Sequence, residues 1–158
     1  MTDTAELRRI ELKRYPLRLA VRSRSHFEEL VREFQLVDIG RKSGEAAERP
    51  VPHRLIELVD TFTQRYADRV DAIEAQRSAA IARGEIEMDL AYDAPVDARE
   101  GVVALTRLME ECDAFCASDE YLLTLATPPD VVAFRRWNVA QIVTQIDGGA
   151  PTPWPGEL

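Results

Sequence analysis

The chain has 158 residues, and its 20 basic and 28 acidic side chains leave a formal charge of −8. An apolar fraction of 46% beside 30% charged residues is that of a folded globular protein, which excludes a disordered or fibrous chain, and the length suits one domain whose core needs neither disulfides nor metals. No apolar run approaches the roughly 20 residues that span a bilayer, and residues 1–11 are too charged for a signal peptide, so a cytoplasmic protein is expected.

In chain order, Leu17, Leu19 and Val21 alternate with Arg18, Ala20 and Arg22, the period of a half-buried strand. Ser23 or Ser25 then offers an N-cap, with Glu28 and Glu29 where the helix dipole favours acid. Phe27, Leu30, Val31, Phe34 and Val37 follow at helical steps, and Gly40 with the polar run 41–49 ends that helix in a loop.

Pro50 and Pro52 introduce a long helix over 53–83, with a stripe of Leu55, Val59, Phe62, Tyr66, Val70, Ile73 and Ile81 and a C-cap at Gly84. At 1.5 Å per residue it runs about 45 Å, longer than a domain of this size needs. Either it bends near Gln76–Ser78, where Arg77 interrupts the stripe, or its overhang packs on a second copy. A homodimer through helix 53–83 is the expectation, with Arg65, Asp68, Arg69 and Asp71 as its polar rim.

Ile86, Met88, Leu90 and Tyr92 alternate with polar or small residues, a second strand ended by Pro95. A helix over 97–117 carries Val102, Leu105, Leu108, Met109, Cys112, Phe115 and Cys116 on one face. Tyr121–Leu125 reads equally as strand or helical turn. Thr127-Pro128-Pro129-Asp130 spells N-cap, proline and early acid, opening a last helix with the stripe Val131, Val132, Arg135, Val139, Ile142, Val143 and Ile146, closed by Gly148–Gly149. The whole predicts an α+β fold, a small antiparallel or mixed sheet covered by four helices, one unusually long. Residues 1–150 form its single domain, and 151–158 an extended tail of prolines around Trp154.

Charge is unevenly spread: residues 1–50 hold 11 basic and 9 acidic groups, 51–83 five of each, and 84–158 only 4 basic against 14 acidic. The one basic concentration, Arg8, Arg9, Lys13, Arg14, Arg18, Arg22 and Arg24, mostly alternates along the predicted strand and reads as a solvated face, so no nucleic-acid partner is expected. Chemistry is equally sparse. His26 and His53 are the only histidines, no Gly-x-Ser-x-Gly elbow or Walker sequence exists, and the acidic pairs lie on predicted surface turns. Cys112 and Cys116 share a helix face, but without two further ligands they read as reduced core residues. No catalytic residue, cofactor or metal is expected.

The least ordinary features are Phe134-Arg135-Arg136-Trp137 and Pro151-Thr152-Pro153-Trp154-Pro155. Tryptophan and arginine dominate interface hot spots, so Phe134, Arg135, Arg136, Trp137 and Trp154 are the candidate partner-binding residues. Alternatively Trp137 wedges against the sheet and Trp154 pins the C-terminal segment to its own domain.

The runs Leu17–Phe34, Tyr121–Pro129 and Phe134–Trp137 resemble a family of small uncharacterised proteins of high-GC bacteria, encoded beside partner-switching modules of an anti-sigma kinase, its antagonist and a PP2C-type phosphatase. That resemblance implies a regulatory setting and brings no catalytic or ligand residue with it. The first segment also resembles the start of anti-sigma kinases of the histidine-kinase ATPase type. The family's magnesium-holding Glu and Asn and its Asp-x-Gly-x-Gly are missing, however, and Asn138, the sole asparagine, has Phe134 where the acid belongs. The expected function is therefore a non-catalytic regulator working through protein–protein contact. The alternative is a small-molecule sensor or enzyme with a pocket lined by Tyr92, Met109, Tyr121 and Trp137.

Overall fold

The computed structural model describes residues 5–41, 51–118 and 126–158. Its elements are β1 (Leu7–Pro16), α1 (Leu17–Arg41), α2 (Val51–Ala82), β2 (Glu87–Pro95), α3 (Ala98–Ser118) and α4 (Pro129–Ile146). The α+β class holds, and the sheet is a two-stranded antiparallel ribbon in which Ile10 faces Tyr92 and Leu12 faces Leu90. The segments 42–49 and Tyr121–Leu125, expected as a loop and as a strand or turn, lie outside the described residues. Among the described residues, no helix is long and apolar enough to cross a membrane.

The first strand is not where the alternation of residues 17–22 placed it. Those residues open α1, and the strand lies upstream, where Ile10 and Leu12 are buried and Arg9 and Glu11 are not. Leu17 and Ala20 continue at helical steps into Leu30 and Phe34, all four buried, whereas Val21 remains 49% exposed. A helical stripe sustained over eighteen residues outweighs a two-residue alternation sustained over six.

β1 itself is irregular. Its register slips between Leu12 and Tyr15, and Arg14 sits in the left-handed region at φ +52°. A side chain with a Cβ pays roughly 1–2 kcal/mol for that conformation, so its surroundings must hold it there.

The long helix bends, but at Tyr66 (φ −125°, ψ 18°) and not near Gln76–Ser78. Arg77 interrupts the stripe because it is largely buried and works as a polar contact, donating to the Tyr15 hydroxyl at 3.2 Å and pairing with Glu74. The bend lets each half of α2 serve a different core. Leu55, with Ile56, Leu58 and Val59, packs against Leu30 and Phe34 of α1 and Leu108, Met109, Cys112 and Cys116 of α3. Ala80 and Ile73 join Ile10, Leu12, Tyr15, Leu90, Phe134 and Ile146 around the sheet. The stripe is thus largely covered by its own chain, and among the described side chains of α2 the large apolar ones left exposed are Val70 and Ile81, each at 45%.

Both glycine stops form as expected. After α2, Gly84 (φ +77°) donates to Ile81 O at 2.9 Å and Glu85 to Ala80 O at 3.1 Å. After α4, Gly148 (φ +91°) donates to Gln145 O at 3.1 Å and Gly149 to Thr144 O at 2.7 Å. Both are Schellman closures, which need a left-handed residue that glycine supplies without steric cost.

The stripe of α4 is rotated from the expected one. Val131, Phe134, Gln141, Gln145 and Ile146 are buried, in place of a face led by Arg135, Val139 and Val143. Two glutamines can occupy a core face only if their amides are satisfied. Gln145 exchanges two bonds with the main chain of Glu11, accepting from its N–H at 2.8 Å and donating to its carbonyl at 2.9 Å. It thereby caps the outer edge of β1, an edge that would otherwise be open to strand pairing.

Candidate functional site

The β1 irregularity and the glutamine face of α4 meet under the C-terminal segment. Turned outward at the bulge, Lys13 O accepts from Trp154 N–H at 3.0 Å. The Arg14 guanidinium donates to Trp154 O at 3.0 Å and to Gly156 O at 3.1 Å, while Arg14 N–H donates to Asp89 Oδ1 at 2.9 Å. From α4, Gln141 Oε1 accepts from Thr152 N–H at 2.7 Å, and Trp137 Nε1 donates to Thr152 O at 3.2 Å. Trp154 drops its indole into the sheet-side core, with 6% exposed. Its ring centroid lies 5.5 Å from Trp137 and 6.0 Å from Phe134, both edge-to-face, the favoured geometry for aromatic quadrupoles. Gly156 lies so close beneath that indole that a Cβ there would fall 2.5 Å from Cζ2.

Beside this groove, α1, α4 and the tail enclose an open cleft of about 650 Å³. Trp137, Trp154 and Leu158 form its apolar wall; Arg18, Arg22 and Asp130 contribute charge. Arg22 pairs with Asp130, whose carboxyl is held below its ordinary range chiefly by that arginine.

Of the predicted partner-binding residues, Phe134, Trp137 and Trp154 converge. Phe134 and Trp154 face inward, Trp137 is half-buried, and the three hold the tail to the domain. Arg135 and Arg136 turn the other way, toward α3. The first bonds Asp113 at 2.6 Å and keeps only 15% of its side chain exposed, while the second is exposed and lies 3.5 Å from Glu110. The residues proposed for a pocket do not assemble: Tyr92 and Trp137 belong to the sheet-side core, Met109 to the other, and Tyr121 is outside the described residues.

Lys13, Arg14, Gln141 and Thr152 were not anticipated. A glutamine at an apolar step of α4 was the available signal, since burying one implies a fixed polar partner.

A second polar cluster joins α1, α3 and the approach to α4. Thr127 was expected to cap α4 but does not; the cap residue is Pro128, without a side-chain bond. The Thr127 hydroxyl instead donates to Asp113 at 2.5 Å and faces His26 Nε2 at 3.1 Å. Burial holds the His26 imidazole below its ordinary value and Arg135 adds to this, against the opposing pull of Asp113 and Glu29. Arg135 closes the cluster by bonding Asp113, so these contacts tie α1, α3 and α4 together. Cys112, one residue away, is buried and unbridged like Cys116, and burial pushes its thiol up to about 12. Among the described residues, no three His, Cys, Asp or Glu side chains are placed to share a metal.

Compared with protein-family models, with curated proteins and with solved structures, the chain matches none.

Proposed function

We propose that this chain is a non-catalytic regulatory protein that acts by binding another protein, with the cleft between α1, α4 and the tail as its contact surface. The observation that supports this most directly is the makeup of that cleft, in which tryptophan and arginine line one concave surface. Arg18 lies at its edge without an ion pair among the described residues, and Val21, one turn along α1, is 49% exposed. The partner-switching setting implied by the sequence resemblance supplies the first candidates: a cytoplasmic anti-sigma kinase, its antagonist or the PP2C-type phosphatase.

Co-purification from the native cell tests this reading. The wild-type chain should retain a stoichiometric partner that the Arg18→Glu/Val21→Glu variant loses at unchanged thermal stability. Retention by both forms would remove the cleft from the contact.

A small-molecule sensor is the second reading, favoured by the cleft's volume, which lies within the range of ligand pockets. A reproducible rise in melting temperature with one metabolite class, abolished by Arg18→Glu, would replace the first reading with it. A ligand at a hundred times its Kd stabilises by about 2.7 kcal/mol.

A further inference from the structure

The tail is held as a bound peptide is held. Proline at 151, 153 and 155 leaves N–H groups only at alternate residues, and those of Thr152 and Trp154 are both taken, by Gln141 Oε1 and Lys13 O. The carbonyls of the same two residues accept from Trp137 Nε1 and Arg14, and Arg14 reaches the next alternate carbonyl, Gly156 O. Every one of these groove contacts is to tail main chain. The one side chain read is the Trp154 indole; Thr152, Pro153, Pro155 and Glu157 are exposed. Prolines therefore sit where no donor is wanted, and a single aromatic anchor sits where the groove is deep.

The host side is built for this readout. Arg14 is the only non-glycine residue with positive φ among those described. Its conformation accompanies the bulge that directs Lys13 O and the Arg14 guanidinium to the tail. Upstream, the Schellman closure at Gly148–Gly149 separates the segment from α4, leaving a glycine pair as the joint about which it can leave.

We propose that the groove formed by Lys13, Arg14, Phe134, Trp137 and Gln141 is a peptide-binding site for proline-spaced tryptophan segments of a partner protein, and that the chain's own tail occupies it in cis. This rests on the reading of the chain as a contact protein and gives that partner a chemistry: prolines at alternate positions around one tryptophan. A partner segment must compete with a tethered tail, whose effective concentration is of millimolar order, so binding opens only to a segment that fits better or arrives on a second contact. The cleft beside the groove could supply that second contact.

The test uses the full chain carrying Trp154→Ala, which removes the anchor and leaves every groove residue in place. A fluorescein-labelled peptide with the sequence of residues 150–158 is titrated and followed by anisotropy. It should bind this variant at least tenfold more tightly than it binds the wild-type chain, and replacing the peptide's tryptophan by alanine should abolish binding. Gly156→Ala, which only presses a Cβ against the indole, should give intermediate affinity and keeps the test decisive if the first variant folds poorly. Equal, weak binding of the tryptophan peptide and its alanine control to both variants would overturn the proposal. So would a wild-type dimer that exchanges labelled tails between copies, because the groove would then belong to a second copy. Failure of the peptide test with the partner still lost on Arg18→Glu/Val21→Glu would remove the groove alone. Loss of that cleft dependence with peptide binding intact would remove the cleft alone.

Discussion

Trp154→Ala probes how firmly the C-terminal segment belongs to the domain. Trp154 is only 6% exposed and its indole meets Phe134 and Trp137 edge-to-face. Truncating a buried tryptophan typically costs 3–5 kcal/mol. The segment around Trp154 belongs to no helix or strand and follows the Gly148–Gly149 stop, so it can undock without unravelling an element of the domain. The loss is then capped by the free energy of docking. About 3 kcal/mol is the expected figure, against the roughly 5–15 kcal/mol that holds a typical domain together. In a chain of 158 residues that corresponds to a fall of roughly 6–12 °C in melting temperature. Urea unfolding followed by far-UV circular dichroism should show a lower midpoint at an unchanged slope, since the surface exposed on unfolding hardly alters. Gly156→Ala should go the same way by about 1–2 kcal/mol, because a Cβ 2.5 Å from the indole must push the tail outward. A change below about 0.5 kcal/mol in Trp154→Ala, within the range of ordinary surface substitutions, would show that the tail is not docked in solution and would refute the reasoning.

His26 is depressed by burial, so on acidification the unfolded chain takes up its proton first, from about pH 6.5; the stability this gives is present above that pH and falls away below it. His26→Gln should flatten the decline in stability between roughly pH 7 and pH 5, and an identical pH profile in the two proteins would exclude His26 as its source. With its thiol pushed up to about 12 by burial, Cys112 should resist iodoacetamide at pH 8 until urea is added, and rapid native labelling or a Cys112–Cys116 bridge in the mass spectrum would contradict the packing. Self-association through α2 is a proposal that now rests on Val70 and Ile81: sedimentation equilibrium at tens of micromolar should read twice 17.9 kDa, and Val70→Glu/Ile81→Glu should halve it. A monomeric wild-type mass removes that dimer.

The sequence alone determined the features that depend on near neighbours. The alternation from Met88 to Tyr92, the stops at Gly84 and Gly148, the apolar face of α3 and the α+β class all follow from local stereochemistry and periodicity, and the structure keeps them, whereas Ile86, expected on the inner face of that strand, precedes it and is 66% exposed. Tertiary structure decided wherever two local patterns competed or a polar residue had a distant partner. Residues 17–22 alternate like a strand, yet the helical stripe they begin is longer, and it is the burial of Leu30 and Phe34 against α2 and α3 that selects it. Arg77 and Gln145 look out of place on apolar stripes until Tyr15 and Glu11, 62 and 134 residues away, satisfy them. The two tryptophans were visible as unusual residues. That Trp154 is an inward anchor, gripped by an arginine held at positive φ in a bulge 140 residues earlier, depends on chain segments that meet only when the sheet and α4 pack together.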